Sequence, residues 1–396
     1  MAGNIRNVVV VGGSYVGMAT AKELANILPV THRVLLVEPH SHFHHLFAFP
    51  RFAILPSHEH KAFIPYTSLF PPSTPHKVIQ ARALSLQSDS LTLDRPFSET
   101  CSRTLPFDYL IAATGTNLAF PGTMTADDKP ASITSLQSYQ SAIKSSPSVL
   151  IIGGGAVGVQ MACDLKEIYP SKSVTLVHSR DQLMPVYHPA LSDLIKSRFR
   201  ELGIDLVTGS RVVLPAGGFP TSSDGREQEV RLQNGKTLRA GLVVQATGQT
   251  PNNHFIRAGL GDGVLNPANG FVRVRGTMQL RDDRHRHLFA VGDINDCGAH
   301  KAARPGSVQA AVAARNVLGM IEGKQEHELE ELTVQPAGIH MTLGLTQHVL
   351  FRNPNTAKGE TEPFIQRKDD GKEDMDIESV WVRRGVTVTS PQDYHL

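Results

Sequence analysis

Two kinds of apolar run alternate along this 396-residue chain. Short unbroken runs of β-branched residues are followed by longer stretches in which apolar positions recur every three or four residues. The first pair predicts a strand over 7–11, ending in the valines Val8–Val11. A helix follows over 16–28, with Val16, Ala19, Leu24 and Leu28 on one face and Pro29 ending it. Residues 33–37 (Arg-Val-Leu-Leu-Val) complete a strand–helix–strand unit. Strands this uniformly apolar belong in a parallel sheet covered on both faces. The same pattern returns from 148 to 177.

Between these units, 39–76 is rich in Pro, His and Phe and reads as irregular with one or two short helices. Residues 77–94 read as paired strands, and Phe107–Thr114 as a buried strand ending in Ala-Thr-Gly. Beyond the second unit, a helix is predicted at about 190–202, closed by Gly203. Strands are predicted at about 204–214 and 229–240, with a loop tip at 215–228 and a type I′ hairpin turn at Asn234-Gly235. Leu242–Thr247 repeats the strand-then-Ala-Thr-Gly pattern. Residues 286–293 form another strand, and a helix follows at about 305–321. The stretch 331–396 reads as a smaller region with a charged turn at 367–374 between strands.

Each strand–helix–strand unit carries a glycine-rich turn. The first places Gly12, Gly13, Ser14, Tyr15 and Gly17 between strand and helix, with Glu38 at the end of the next apolar run. The second places Gly153, Gly155 and Gly158 in the same way. In such turns the first glycine permits the tight bend, the second lets the backbone approach a pyrophosphate, and the third lets helix and strand pack closely. The phosphates then sit on the free N–H groups of the helix start. Glu38 stands where a carboxylate accepts from ribose hydroxyls. The corresponding place in the second unit holds His178, followed by Ser179 and Arg180. No carboxylate is there to repel a 2′-phosphate, which points to NADPH or to indifference between the two nicotinamides. Arg180 also reads as a solvated surface charge. Gly292-Asp293 follows an apolar strand, where a carboxylate can hold the hydroxyls of a ribityl chain.

The bulk numbers add little but exclude much. The chain is 40% hydrophobic, with a net charge of +2 and no Lys/Arg-rich run, which argues against a nucleic-acid protein. Three scattered cysteines, Cys101, Cys163 and Cys297, show neither zinc spacing nor a disulfide framework. The N-terminal Met-Ala-Gly-Asn fits no signal peptide or N-myristoylation motif. No run approaches the roughly 20 apolar residues of a membrane span. The chain therefore reads as cytoplasmic, with peripheral membrane contact left open. Residues 338–351 are expected to pack on the core, because their polar residues do not segregate onto a basic face. The histidines His40, His42, His44 and His45 lack the spacing and the cysteine partners of a tetrahedral metal site, so no metal is expected.

Together these motifs resemble those of two-dinucleotide flavoprotein reductases. Within them the chain is most similar to the AMID and ferroptosis-suppressor-type group, apoptosis-inducing-factor-like relatives of type II NADH dehydrogenases. The resemblance covers about residues 5–350. It includes the segment 38–45, Ala113-Thr114-Gly115, Gly153–Lys166, Tyr169-Pro170, Val174–Ser179, Ala246-Thr247-Gly248 with Pro251-Asn252, Gly292-Asp293 and His300-Lys301.

The resemblance implies an α/β fold of two nested Rossmann-type domains with a small C-terminal α+β region. The FAD-binding domain would span 1–120 and 251–330, the NAD(P)H-binding domain 121–250, and the C-terminal region 331–396. It implies FAD on Gly12, Gly13, Ser14, Tyr15, Gly17, Glu38, Thr114, Gly115, Gly292 and Asp293. It implies NAD(P)H as co-substrate on Gly153, Gly155, Gly158, His178, Arg180 and Gly248. Lys301 matches a family lysine near the flavin, where a cation stabilises reduced flavin or a quinone oxygen; an ordinary helix-edge lysine is the alternative. Phe43 and His44 are expected on the substrate side. The family commonly has Glu two residues after the third glycine of the nicotinamide motif, where this chain has Gln160. Gln keeps hydrogen bonding but loses charge.

The expected activity is hydride transfer from NAD(P)H to flavin, then electron transfer to a quinone-like acceptor. A flavin-dependent oxidase acting on a biosynthetic intermediate, with oxygen as acceptor, is the second possibility. A redox-sensing signalling flavoprotein is the third. The oligomeric state is not legible.

Overall fold

A computed structural model describes residues 5–221 and 226–396. The N-terminal Met-Ala-Gly-Asn and part of the expected loop tip at 215–228 therefore lie outside the described residues.

Two all-parallel sheets form the framework. In chain order the framework elements of the first part are β1 (Arg6–Val11), α1 (Tyr15–Ile27), β2 (His32–Glu38), β3 (Lys77–Gln80) and β4 (Tyr109–Ala112). Then come α2 (Lys129–Ser145), β5 (Ser148–Ile152), α3 (Ala156–Ile168), β6 (Ser173–Val177), α4 (Pro189–Leu202), β7 (Asp205–Val207) and β8 (Leu242–Gln245). The last are β9 (Leu288–Ala290), α5 (Ala303–Ile321), β10 (Gly338–Thr342), β11 (His348–Arg352), β12 (Phe364–Lys368) and α6 (Ile377–Arg383).

The first sheet has the order β9-β4-β1-β2-β3 and the second β7-β6-β5-β8. β9 follows the whole second sheet in the chain, yet it pairs in parallel with β4, Leu288 against Leu110. The first sheet is thus completed only after the second has been built, which is the nested α/β arrangement. The valines of β1 and the Val34–Val37 stretch of β2 are buried on both faces, as their uninterrupted apolar character requires.

Several local expectations need correction. The stretch 204–214 forms only the short β7 and one isolated bridge from Val212 to Leu232. The turn at Asn234-Gly235 is not type I′, which needs positive φ at both central residues. Only Gly235 has it, at 84°. The Leu232 N–H donates to the Lys236 carbonyl across the turn. Asn234 instead uses its side chain, accepting from Lys236 N and donating to Ser210 Oγ. The charged turn at 367–374 follows β12 but leads into helix α6, not another strand. Helix α2 has no counterpart among the predicted elements. Asp128 caps it, accepting from Ala131 N at 2.8 Å. Its sequence is rich in Ser, Thr and Gln, so the apolar stripe is thin.

The C-terminal region is bound tightly to the rest. β10 and β11 form a hairpin whose Met341, Val349 and Phe351 are buried in the main core, as expected for 338–351. Trp381 of α6 is fully buried and donates its indole N–H to the Lys61 carbonyl at 2.8 Å. Buried Lys129 donates to the carbonyls of Phe63, Tyr394 and Leu396. Among the described residues no helix is long and apolar enough to cross a membrane.

Candidate functional site

Both glycine turns lie at the C-terminal ends of central strands, β1 and β5, where an open parallel sheet offers its crevice. In the first turn Gly12 has φ of 102°, and a Cβ there would stand 2.6 Å from the Ala113 carbonyl oxygen. A Cβ on Gly17 would overlap the Gly12 carbonyl oxygen, so α1 rests directly on the turn. Ser14 caps α1 without a side-chain hydrogen bond, and no acid lies in the first turn. The helix start therefore keeps free N–H groups and its partial positive charge for an anion. The Glu38 carboxylate, buried at the end of β2, accepts from the N–H of Gly13 and from the N–H and ring of His40. Tyr66 donates its hydroxyl to the Gly13 carbonyl at 2.9 Å. This glycine cradle fits a dinucleotide.

Asp293 lies on the β9 side of the same sheet, in a short 3-10 turn over Gly292–Ile294. Buried Gln309 of α5 holds that turn: its Oε1 accepts from Gly292 N at 2.8 Å and from Asn295 Nδ2 at 2.6 Å. Burial pushes the Asp293 carboxyl up, and the Lys301 charge opposes the shift. Lys301 donates to the Asn295 carbonyl and lies 4.1 Å from the Phe271 ring centroid. Burial pulls its ammonium down, against the charges of Asp293, Cys297 and Asp296. The lysine is thus held beside the Asp293 turn and is no solvated helix-edge residue.

The second turn repeats the first. Gly153 has φ of 121°, and a Cβ on Gly158 would overlap the Gly153 carbonyl oxygen. A Cβ on Gly155 would meet nothing within 4 Å, so the backbone there faces open space. His178 takes the place of Glu38: its Nδ1 accepts from Gly154 N at 3.0 Å. Burial lowers its pKa, a backbone hydrogen bond to Gln182 opposes the shift, and the charge of Arg180 adds to it. An Nδ1 that accepts a backbone N–H carries no proton, so in this hydrogen bond the ring is neutral with its proton on Nε2. Arg180 is exposed and makes no ion pair among the described residues. The two Ala-Thr-Gly segments end beside these turns. Thr114 Oγ1 donates to the Asn252 carbonyl, and Asn252 Nδ2 donates back to the Thr114 carbonyl. Gly115 and Gly248 both face open space.

The histidine-rich loop departs from expectation. Phe43 is fully buried, so it presents no surface to a substrate. It packs edge-on to Tyr15, with the Arg384 guanidinium 4.1 Å from its ring centroid. His44 is also buried, between Phe49 and Phe63, and burial holds its pKa well below the usual value. Both residues belong to a three-residue strand paired with Phe63–Pro65; they point to opposite faces of that ribbon, and both are buried. Tyr15 turns its hydroxyl to His45 Nδ1 at 2.6 Å. Among the described residues no group of three or more His, Cys, Asp or Glu is placed to hold a metal.

Gln160 donates to Thr342 Oγ1 at 3.0 Å, tying α3 to the C-terminal hairpin. Arg51 makes a bidentate pair with Asp164 of α3 at 3.0 and 2.9 Å and also bonds the carbonyls of Gly344 and Leu345. One guanidinium thus joins three distant segments. Sequence reasoning missed Arg51, Tyr66, Gln309 and Arg384. A polar Gln309 on the buried face of α5 was the one local signal; the others come from segments without periodicity.

A model of the pyridine nucleotide-disulphide oxidoreductase family matches residues 6–314. The chain belongs to this family. It is an NAD(P)H-dependent flavoprotein oxidoreductase whose cofactor is FAD. Its relatives include Fe-regulated protein 8 of Mycosarcoma maydis, 33% identical over 96% of each chain. Ferroptosis suppressor protein 1 of Xenopus laevis is 30% identical over 80% of this chain and 81% of its own. The fold is also that of the sulfide:quinone oxidoreductase of Aquifex aeolicus, with a TM-score of 0.74 at 19% identity, covering 98% of this chain and 93% of the other. The ferroptosis-suppressor-type resemblance of the motifs agrees with the second of these relatives.

Proposed function

We propose that the protein passes electrons from NAD(P)H through FAD to a quinone-like acceptor. The observation that carries this reading is the repeated glycine cradle, one for each dinucleotide, in a single chain. The likeness to a sulfide:quinone oxidoreductase supports the acceptor class.

Bound FAD supplies a centre that takes up a hydride and releases its electrons to a second partner. The chain's own residues orient the reactants. Gly12, Gly13, Ser14, Tyr15 and Gly17 present backbone to the FAD pyrophosphate, and Glu38 accepts from its ribose. Asp293 accepts from ribityl hydroxyls, while Gly292, Thr114 and Gly115 shape the adjoining wall. Lys301 offers an ammonium to an oxygen that gains negative charge. Gly153, Gly155 and Gly158 cradle NAD(P)H, with His178, Arg180 and Gly248 at its edges. Gln160 orients the nicotinamide end. The FAD-binding part comprises 1–120 and 251–330, the NAD(P)H-binding part 121–250, and 331–396 closes the assembly.

Anaerobic titration with NADH and then NADPH, followed by flavin absorbance, tests the reading. Bleaching by either, and recolouring by a water-soluble quinone, is the expected result. A flavin that stays oxidised with both refutes the proposed electron path. Fast recolouring by oxygen alone, with no effect of quinone, would establish an oxidase.

A further inference from the structure

The Arg384 guanidinium is a largely desolvated cation with no carboxylate paired to it among the described residues. It follows α6 and reaches the first dinucleotide unit, 5.4 Å from the Tyr15 ring centroid and 4.1 Å from that of Phe43. Its Nε is buried without a hydrogen-bond partner. Its charge is felt at Tyr66, whose hydroxyl bonds Gly13, and at Lys22 on α1. Arg383 adds a further positive charge beside it. Glu38, the buried acid of the first turn, accepts from Gly13 and His40 and makes no ion pair with Arg384.

A cation taken from water without an anion is disfavoured, and the aromatic faces compensate only in part. An arrangement of this kind implies an anion in the working protein. Tyr66, within reach of the Arg384 charge, bonds Gly13 of the first turn, and the helix start beside that turn has free N–H groups that already favour negative charge. A guanidinium also matches phosphate oxygens in geometry, as two parallel N–H donors.

We propose that Arg384 binds the pyrophosphate of FAD, so that the C-terminal helix completes the cofactor site built by the first glycine turn. This rests on that turn being the FAD site. The segment around α6 is held there by Trp381 and Lys129, which deliver Arg384 to the first unit from the opposite end of the sequence. Arg384 acts as a binding residue, with no part in bond making.

The test compares FAD with riboflavin, which has the same ring and no phosphate. Apoprotein is titrated with each, following flavin fluorescence, for the wild type, Arg384→Met and Arg384→Lys. Met keeps the packing against Phe43 and Tyr15 without the charge. The proposal expects FAD to bind about tenfold more weakly, or worse, to Arg384→Met, with riboflavin affinity unchanged. Arg384→Lys should retain most of the FAD affinity. Equal weakening of both ligands would make Arg384 a packing residue and overturn the proposal, as would unchanged FAD affinity. Arg384→Gln carries the same comparison if the Met variant does not fold, which circular dichroism reports. Wild-type protein that binds neither flavin would instead refute the FAD assignment of the first turn.

Discussion

The Nδ1 atom of His178 accepts the N–H of Gly154 at 3.0 Å, the bond that the Glu38 carboxylate makes to Gly13 in the other half of the chain. The two residues do the same backbone work at the ends of equivalent strands. They differ in chemistry: one is a carboxyl group, the other an imidazole ring. The difference bears on which ribose each unit accepts, because a carboxylate repels a 2′-phosphate and an imidazole does not.

Nicotinamide choice should follow from this. Arg180→Ala is expected to weaken NADPH binding about tenfold while leaving NADH nearly unchanged. His178→Glu should shift the preference toward NADH. Dissociation constants for both nucleotides decide it, and an unchanged ratio in both variants would refute the assignment.

Gln160→Glu restores the carboxylate common in the resembling family. Thr342 can donate its hydroxyl to that carboxylate, so the tie between α3 and the hairpin survives. We expect a change in nicotinamide affinity or in the rate of flavin reduction, read by anaerobic stopped-flow. Identical kinetics would remove any role for Gln160 in hydride transfer.

Two glycines of the second turn should respond differently to the same substitution. A Cβ on Gly158 overlaps the Gly153 carbonyl, so Gly158→Ala should lower the melting temperature or prevent folding. A Cβ on Gly155 meets nothing within 4 Å, so Gly155→Ala should fold normally and lose nucleotide affinity. Melting curves with and without NADPH separate the two.

Arg51→Met strands the Asp164 carboxylate in the interior. A loss of about 3–5 kcal/mol is expected, as for other broken buried pairs. The double variant Arg51→Met/Asp164→Leu should be less damaged than the single one. Denaturant unfolding of both proteins measures the difference, and equal losses would show that the charge pair is not the cause.

Stability should fall in mild acid. Burial holds His45 down to about 3 and His60 down to about 4, against an ordinary value of 6.5. The unfolded chain therefore binds more protons than the folded one between pH 6.5 and the folded values. The contribution is complete above pH 6.5 and is lost progressively as pH falls toward 4 and 3. His45→Phe should flatten the dependence of melting temperature on pH on the acid side of neutrality; an unaltered slope would exclude His45.

Much of the framework was legible because its signals are local. Val8–Val11 followed by Gly12 and Gly17 can be read without knowing any distant neighbour, since a tight turn and a close helix each demand glycine at a fixed position. Helix α5 and the burial of 338–351 were legible from periodicity and from the absence of a basic face. The type I′ turn failed because Asn234 was free to bond Ser210 instead, a partner on another segment. Phe43 and His44 failed for a similar reason: a loop reading says nothing about what packs above it, and Arg384 comes from the far end of the chain.

The order of residues by itself thus determined two glycine turns, the strands and helices beside them, Glu38 in one unit and a non-acidic His178 in the other. These depend on steric limits and hydrophobic burial over a few neighbouring residues. Only the tertiary structure decided that Gln309 holds the Asp293 turn, that Arg51 joins three segments, and that Arg384 enters the first unit from beyond the C-terminal helix. Those contacts are set by how packed elements bring distant charges together, and burial makes each unpaired charge depend on a partner that no local pattern reveals.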